Sequence, residues 1–237
     1  MRLFKFIGLN SAYGLSNSIE LIKENKIWIS SFKNLNDPFE FRFNHQNAKP
    51  DLFTALKNSK KGVLSLSSVK DDLLLWSHYG TSHRGLCFEF ETENDGRLQS
   101  ASKMEYESKM PVYDQQNPDR ALFTKAMSWK YESEYRVLVP DICDVKISLD
   151  SKSLQAVYFG VNIAFEDVQK IYPLCMARHL PCYQAETVNE DYTIQFKQIK
   201  NINEFSSLAR KAALKRIVEE VVQKSKALKI SDWIQKR

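Results

Sequence analysis

The sequence predicts an α+β fold with mixed, mostly antiparallel sheets, interspersed helices and a long amphipathic helix at the C-terminal end. Short runs of alternating apolar and polar residues recur along the first 200 residues, as in half-buried strands. Between them lie apolar repeats at helical spacing that follow capping residues. The 237 residues therefore suit one core domain at 1–200 and a basic helical appendage at 203–237.

Ten stretches are predicted as strands because their side chains alternate in character. RGLCFEFE is the clearest, since Leu86, Phe88 and Phe90 fall on one side of the strand and the residues between them on the other. In chain order the predicted strands are RLFKFI, IWISSF, GVLSLSS, RGLCFEFE, KMEYES, YESEYRVLVP, DVKISLD, LQAVYFGVNI, CYQAE and YTIQFKQI.

Helices are predicted where a capping residue or a first-turn carboxylate precedes an apolar repeat. We expect the first helix to begin between residues 16 and 18, a later one to have Asn117 as its cap and Pro118 in its first turn, and another to end at Pro173. The predicted helices are SNSIELIKENK, PDLFTALKNSKK, DDLLLWSHYG, NPDRALFTKAMSW, FEDVQKIYPLCMARH and NEFSSLARKAALKRIVEEVVQKSKALK.

Composition indicates a soluble, cytoplasmic protein. Apolar residues make up 43% and charged residues 27% of the chain, as in ordinary globular domains. The four cysteines form no CxxC pair, which favours reduced thiols over a disulfide framework. No apolar run is long enough for a signal peptide or a spanning helix, so we expect no membrane contact.

The net charge of +5 belongs to the C-terminal segment alone. Residues 203–237 hold nine basic and four acidic residues, while the rest of the chain holds 25 of each sign. A segment of this kind is a helix with a solvated lysine face, or it binds nucleic acid or an acidic protein partner. Its apolar stripe suits a docking or dimerisation element equally well.

The string YESEYR places three charged side chains on one side of a predicted strand. Glu132, Glu134 and Arg136 alternate with Tyr131, Ser133 and Tyr135, so one side is core-like and the other charged. The two carboxylates would lie about 7 Å apart at about 3.3 Å per residue, near enough to contact one substrate, and Arg136 would offset their repulsion. The alternative is a half-exposed strand with an ion pair worth at most about 1 kcal/mol.

The string LNDPFEF adds a second set of candidate site residues. Asp37 precedes a proline, which favours a turn. Asn36, Asp37 and Glu40 are therefore candidates for substrate binding, or else Asn36 or Asp37 bonds local backbone within a structural turn.

The string WSHYGTSHRG places two of the four histidines close to aromatic residues at the end of a predicted helix. In a structural interpretation His78 caps the helix, where backbone carbonyls favour the imidazolium, and His83 lies on the surface. In a functional one, the binding candidates are Trp76, His78, Tyr79, His83 and Arg84.

Familiar cofactor motifs are absent. Cys175, His179 and Cys182 are spaced like three zinc ligands, but a fourth is not evident. P-loop, Rossmann glycine, nucleophile-elbow and HExxH motifs do not occur. The sequence therefore argues against a metal site, dinucleotide redox chemistry, P-loop hydrolysis and zincin proteolysis.

Four strings in fixed order resemble a widespread bacterial domain family of unknown function. They are NDPFE, LWSHYG followed by HRGLCFEF, WKYESEYR and VYFG, and they span roughly residues 3–200. The resemblance implies an intracellular bacterial protein but no activity.

The layout also resembles ADP-ribosyltransferases, which implies NAD as the substrate. Members have a basic or histidine residue in a first strand, a later serine- or tyrosine-bearing strand and then a glutamate strand. Here Lys5 stands in the strand RLFKFI, Ser65 and Ser67 in GVLSLSS, and Glu132 and Glu134 in YESEYRVLVP.

That resemblance implies a role for each candidate and a function for the protein. Glu134 would bind the ribose and stabilise an oxocarbenium ion, Glu132 would orient or deprotonate an acceptor, and Trp76 or Tyr79 would stack on a base. The expected function is a toxin or phage-defence effector. The alternatives are a nucleotide- or nucleic-acid-binding module without transferase activity, which would use the basic C-terminal helix with His78, His83 and Arg84, and a structural docking protein.

Overall fold

The computed structural model describes residues 1–44, 60–112, 114, 116–117, 119–188, 190–205 and 222. Over these residues the fold is α+β with a mostly antiparallel sheet, which confirms the predicted class. The helices predicted at 50–61 and after residue 203 lie almost entirely outside the described residues and stay predictions, as does Pro118.

The described strands are short and alternate with a few helices. The strands are β1 (Arg2–Ile7), β2 (Lys26–Ser31), β3 (Gly62–Ser67), β4 (Leu86–Glu91), β5 (Ser102–Lys103), β6 (Glu105–Glu107), β7 (Thr124–Ala126), β8 (Glu134–Val139), β9 (Val145–Ser148), β10 (Leu154–Phe159), β11 (Cys182–Thr187) and β12 (Ile194–Ile199). The α-helices are α1 (Ala12–Glu24), α2 (Leu73–His78), α3 (Gly96–Gln99) and α4 (Phe165–Ala177). The 3-10 helices are Phe32–Asn34, Thr92–Asn94, Arg120–Leu122, Met127–Glu132 and Ile202–Glu204.

Ten of the described strands form one sheet. Its main path runs β12-β11-β10-β4-β1-β3-β2-β9, while β8 pairs with β3 and β5. Every pair in this sheet is antiparallel except β10 with β11, and β6 and β7 form a separate parallel pair.

The two edges of β3 are used differently. β8 pairs with one edge along the whole strand. The other edge is shared, because β2 pairs with it at Gly62 and Val63, and β1 pairs with it only at Ser67, opposite Phe4. Within the described chain, residues 64–66 have no strand partner on that edge, so β1 and β2 form a fork along β3.

The main apolar core lies where α1 and α4 pack on the sheet. Leu21 of α1 and Ile171 of α4 are buried with Phe88 of β4 and Val157 of β10. Burying an apolar side chain of this size stabilises a fold by roughly 1.5–3 kcal/mol. A second cluster contains Phe4, Phe6, Trp76 and Tyr158.

The first helix starts earlier than predicted. Ser11 caps α1, and its hydroxyl accepts a hydrogen bond from the Gly14 amide at 3.2 Å. Ser18 is instead buried inside the helix, and its hydroxyl donates to the Gly14 carbonyl at 2.8 Å. The predicted start at residues 16–18 was wrong because a serine can bond backbone groups inside a helix as well as at its cap.

Pro173 does not end its helix, contrary to the prediction. α4 continues through Pro173 to Ala177. Pro173 is exposed, while its neighbours Ile171 and Cys175 are buried. The carbonyl group that the proline leaves without a helical partner therefore lies on the solvent side, where water can bond it.

The segment NPDRALFTKAMSW is not the predicted helix. It contains the 3-10 helix Arg120–Leu122, strand β7 and the start of the 3-10 helix Met127–Glu132. Pairing of β7 with β6 outweighs the local helical pattern. The predicted strand YESEYRVLVP is correspondingly shorter, because Ser133 adopts a φ of 45° and β8 begins only at Glu134.

Candidate functional site

A cavity of about 200 Å³ lies in the fork between β1 and β2. Its walls come from β1, β3, β8, the end of β2 with the following loop, and single residues of α2 and β7. The lining residues are Phe4, Lys5, Phe6, Ser30, Asn34, Leu35, Asn36, Glu40, Val63, Ser65, Leu66, Ser67, Leu75, Tyr79, Lys125, Glu132, Glu134 and Arg136.

The register of β3 against β8 places polar side chains together on the cavity side. Ser65 lies opposite Arg136 and Ser67 opposite Glu134. Residues that face each other across two strands present their side chains on the same side of the sheet. The predicted shared side of Glu134 and Arg136 is therefore confirmed, and this side is buried.

Glu132 reaches the same cavity from a different element. It ends the 3-10 helix Met127–Glu132, and its backbone carbonyl accepts a 2.7 Å hydrogen bond from the Ser67 hydroxyl. The prediction that Glu132 lies on the strand was wrong, because the turn at Ser133 separates it from β8. Its carboxylate nevertheless lies beside that of Glu134.

Arg136 is fully buried and holds two carboxylates in place. Its Nε donates to Glu134 Oε1 at 2.7 Å, and a terminal nitrogen donates to Glu40 Oε1 at 2.6 Å. Another nitrogen donates to the Leu122 carbonyl at 2.9 Å. Burial opposes the charge of Arg136, but Glu134 and Glu40 outweigh burial and raise its pKa.

Lys125 is the second buried cation, and sequence reasoning missed it. Its Nζ lies 2.5 Å from Glu132 Oε2, 3.2 Å from Glu134 Oε2 and 3.5 Å from Glu40 Oε1. Burial lowers the pKa of Lys125, but the three carboxylates outweigh it and raise the pKa overall. The signal that could have found Lys125 is charge balance, because buried carboxylates require cations.

The environments of Glu132 and Glu134 drive their pKa values apart. Burial raises the pKa of Glu134, but Arg136 and Lys125 outweigh it and bring that pKa down to about 2. Burial raises the pKa of Glu132, and Lys125 and Tyr79 offset this only in part. Glu134 is thus a fixed anion, whereas Glu132 can exchange a proton nearer to neutral pH.

Tyr79 connects the cavity mouth to Glu132. Its hydroxyl donates to Glu132 Oε1 and accepts a hydrogen bond from the Asn36 side chain at 2.9 Å. The structure therefore places Asn36 and Tyr79, two of the predicted site residues, beside the carboxylate of Glu132. The Tyr79 hydroxyl fixes the orientation of Glu132.

The side chain of Lys5 reaches the edge of β3 inside the fork. Its Nζ donates to the carbonyl oxygen of Ser65 at 3.0 Å, in the part of the β3 edge that has no strand partner. Burial lowers the pKa of Lys5, and the nearby carboxylates Glu134 and Glu132 offset this only in part. Lys5 is thus a half-buried amine that lies near two carboxylates.

Two other candidate residues have structural roles outside the cavity. The Trp76 ring is fully buried against Phe6, and its indole nitrogen donates to the Lys70 carbonyl at 2.7 Å. It is not placed to stack on a ligand in this cavity. Asp37 is buried in its turn, where its carboxylate accepts a hydrogen bond from the Phe39 amide at 2.8 Å.

The remaining candidates also lie away from the cavity lining. His78 is exposed, and its Nδ1 lies 2.8 Å from the Tyr131 hydroxyl. His83 is half-buried and Arg84 is exposed, both in the turn that follows α2. The structure therefore does not bring these three residues to Glu132 and Glu134.

That turn brings two of the four strings into contact in the fold. Thr81, Ser82 and His83 all have positive φ, at 50°, 53° and 64°. A Cβ on Gly160 would lie 2.2 Å from the His83 carbonyl oxygen, so only glycine fits there. GTSHRG and VYFG are therefore in direct contact, and this contact supports the turn at the end of α2.

The described residues contain no cluster of three histidine, cysteine or acidic side chains placed to hold a metal ion. Cys175 and Cys182 are buried, whereas His179 is exposed.

No protein-family model, curated protein or solved structure matches the chain. Both resemblances drawn from the sequence therefore stay predictions. Within the described residues, no helix has the length and apolar character required to cross a bilayer.

Proposed function

We propose that this cavity cleaves the N-glycosidic bond between nicotinamide and ribose in NAD, as an ADP-ribosyltransferase or NAD glycohydrolase. One observation carries the proposal, namely the pair formed by Glu134 and Glu132. The pKa of Glu134 is about 2 and that of Glu132 is raised, and both carboxylates line the same cavity. Glycosidic cleavage uses one carboxylate as a stable anion and another as an acid or base.

Glu134 supplies the anion. When the bond from C1′ to the nicotinamide nitrogen breaks, both electrons leave with the nitrogen, and neutral nicotinamide departs. The ribose is left as an oxocarbenium cation, which a fixed carboxylate stabilises more in the transition state than in the bound substrate. Arg136 and Lys125 keep Glu134 ionised and immobile.

Glu132 supplies the base. Water or an acceptor hydroxyl attacks C1′, and its proton passes to the Glu132 carboxylate as the new C–O bond forms. A carboxylate with a raised pKa accepts a proton more readily than an ordinary carboxylate and can return it to solvent. Tyr79 orients the carboxylate, and Arg136 is a positioning residue.

Release of nicotinamide tests the proposal. Purified protein is incubated with NAD, with and without added protein or nucleic-acid acceptors, and nicotinamide is measured by chromatography. We expect Glu134→Gln to reduce the rate by roughly a hundredfold to a thousandfold, the usual effect of removing a group that stabilises transition-state charge. Consumption of NAD is also how a toxin or phage-defence effector would act.

The matched control is Glu105→Gln. Glu105 is exposed on β6, so this change removes the same charge outside the cavity and should leave the rate unchanged. If the wild-type protein releases no nicotinamide under any of the acceptor conditions, the proposal is refuted. The nucleic-acid and docking alternatives depend chiefly on residues 203–237, and no described contact favours either.

A further inference from the structure

Only one of the two carboxylate oxygens of Glu40 has a hydrogen-bond partner among the described residues. Its side chain is 5% exposed, and Oε1 accepts a 2.6 Å hydrogen bond from Arg136. Its other oxygen, Oε2, is buried and has no hydrogen-bond partner among the described residues. Glu40 is also one of the residues that line the cavity, so this unsatisfied carboxylate lies at the cavity wall.

A buried carboxylate oxygen without a donor is costly. Such an oxygen has lost its hydrogen bonds to water and has formed none within the protein, which destabilises the fold. For this reason nearly all buried polar atoms in folded proteins have a hydrogen-bond partner. A hydroxyl or amide group of a ligand would supply the missing donor. The unpartnered oxygen is therefore a sign of what the cavity binds.

Each cation of the cavity already has a hydrogen-bond partner in the protein, and two of the three are bonded to carboxylates. Among the described lining residues the cations are Lys5, Lys125 and Arg136, and the carboxylates are Glu40, Glu132 and Glu134. Arg136 and Lys125 are bonded to these carboxylates, and Lys5 donates to Ser65. A phosphate group needs arginine, lysine or a helix N-terminus that is free to bind it, so this wall is poorly suited to phosphate.

The volume of the cavity also argues that the phosphates of a dinucleotide lie outside it. Its volume is about 200 Å³. Pockets that enclose a drug-sized ligand measure roughly 300–1,000 Å³. The cavity can therefore enclose only part of a dinucleotide.

We propose that the cavity binds the nucleoside end of its substrate, with Glu40 accepting a hydrogen bond from a hydroxyl or amide of that end, and leaves the phosphates outside. The choice of a nucleoside rests on the proposed function. The exclusion of phosphate rests on the charges and the volume alone.

Binding of an uncleavable nucleoside tests this inference. Benzamide riboside carries a hydroxylated ribose and an amide, and its C–C glycosidic bond resists hydrolysis. We expect it to bind the full-length protein in isothermal titration calorimetry, with an affinity unchanged by excess inorganic pyrophosphate. Displacement of the riboside by pyrophosphate, or no riboside binding, would overturn the inference.

Glu40→Gln tests the role of Glu40. Arg136 should bond the amide oxygen of the new glutamine. The glutamine NH₂ group then takes the place of Oε2, and it repels an O–H or N–H donor of the ligand. We expect roughly tenfold to hundredfold weaker riboside binding, as for loss of a hydrogen bond to a charged group, and no change for Glu105→Gln. If circular dichroism shows that Glu40→Gln is unfolded, Glu40→Asp replaces it, since the shorter side chain should weaken binding too. Wild-type affinity in the folded Glu40 variant would refute this role.

The two proposals can fail separately. Cleavage of NAD without binding of the riboside would overturn the nucleoside inference and leave the proposed function standing. Binding of the riboside with no cleavage of NAD would support the inference and remove the proposed function.

Discussion

The two faces of β3 and β8 carry two different kinds of core. On one face Leu64 and Val137 are buried in the apolar cluster beneath α1 and α4. On the other face, at the neighbouring position of each strand, Ser65 and Arg136 lie in the wall of the cavity. Two strands thus divide a packed apolar layer from a network of buried charges.

The two kinds of core respond differently to change. Apolar burial is non-directional and scales with area, so the loss of one side chain costs in proportion to its size. Buried charges recover their desolvation cost only while every partner is present. The stability contributed by the cavity side should therefore depend on pH, whereas that of the apolar side should not.

Among the cavity residues, Arg136→Met should give the largest loss of stability. The change leaves Glu134 and Glu40 buried without their main cation, which typically costs about 3–5 kcal/mol. Urea denaturation at pH 7 measures the free energy of unfolding.

Phe90→Ala is the matched change in the apolar cluster, and it should also cost about 3–5 kcal/mol. The two variants should differ in acid. The cost of Arg136→Met should shrink below about pH 4.5, where protonated carboxyls no longer need a cation, while that of Phe90→Ala should not change. Equal pH dependence in the two variants would contradict the comparison.

Acid should remove a distinct part of the wild-type stability. The pKa of Glu134 is about 2 in the folded protein, below its ordinary value of 4.5. The stabilisation is therefore complete above about pH 4.5 and is lost as the pH falls towards 2, by about 3 kcal/mol in total. Glu134→Gln should flatten this part of the stability curve, and an unchanged slope in the variant would show that Glu134 is not the group responsible.

Tyr79→Phe should have a smaller effect, of about 1 kcal/mol, because it removes one hydrogen bond. It should also raise the pKa of Glu132 further, since the Tyr79 hydroxyl stabilises the Glu132 anion. Carboxyl titration by NMR measures this shift. Tyr192→Phe, at a side chain that is 98% exposed, is the control and should leave the pKa of Glu132 where it is.

Lys5→Met should have the smallest effect on stability, within about 1 kcal/mol of the wild type, because it replaces a half-buried amine, whose charge burial disfavours, with an apolar chain. The pKa of Lys5 is lowered on folding, so the unfolded chain binds more protons between that pKa and the ordinary value of 10.5. Wild-type stability should therefore rise with pH in this window, and the variant should lack that rise. A clear loss of stability at pH 7 would instead show that the amine supports the fork.

Local sequence pattern predicted part of the site. Alternation placed Glu134 and Arg136 on one side, and turn and helix-end signals led to Asn36, Glu40 and Tyr79. These signals work because the period of a strand and the chemistry of a turn are set by neighbouring residues.

The rest depends on contacts between distant segments. Lys125 was missed because its segment has a helical pattern, and only pairing with β6 makes it a strand. The fork follows from the registers of three strands, which no single strand encodes. Trp76 was chosen for its aromatic ring, but its exposure is decided by packing against Phe6.

Steady-state kinetics of nicotinamide release by Glu134→Gln test most directly whether the charged side of β8 is catalytic. We expect kcat to fall by about a hundredfold to a thousandfold, because the carboxylate acts mainly in the transition state, while KM changes by less than about threefold. A kcat within about twofold of the wild type, in a folded variant, would show that the buried charges serve the fold alone.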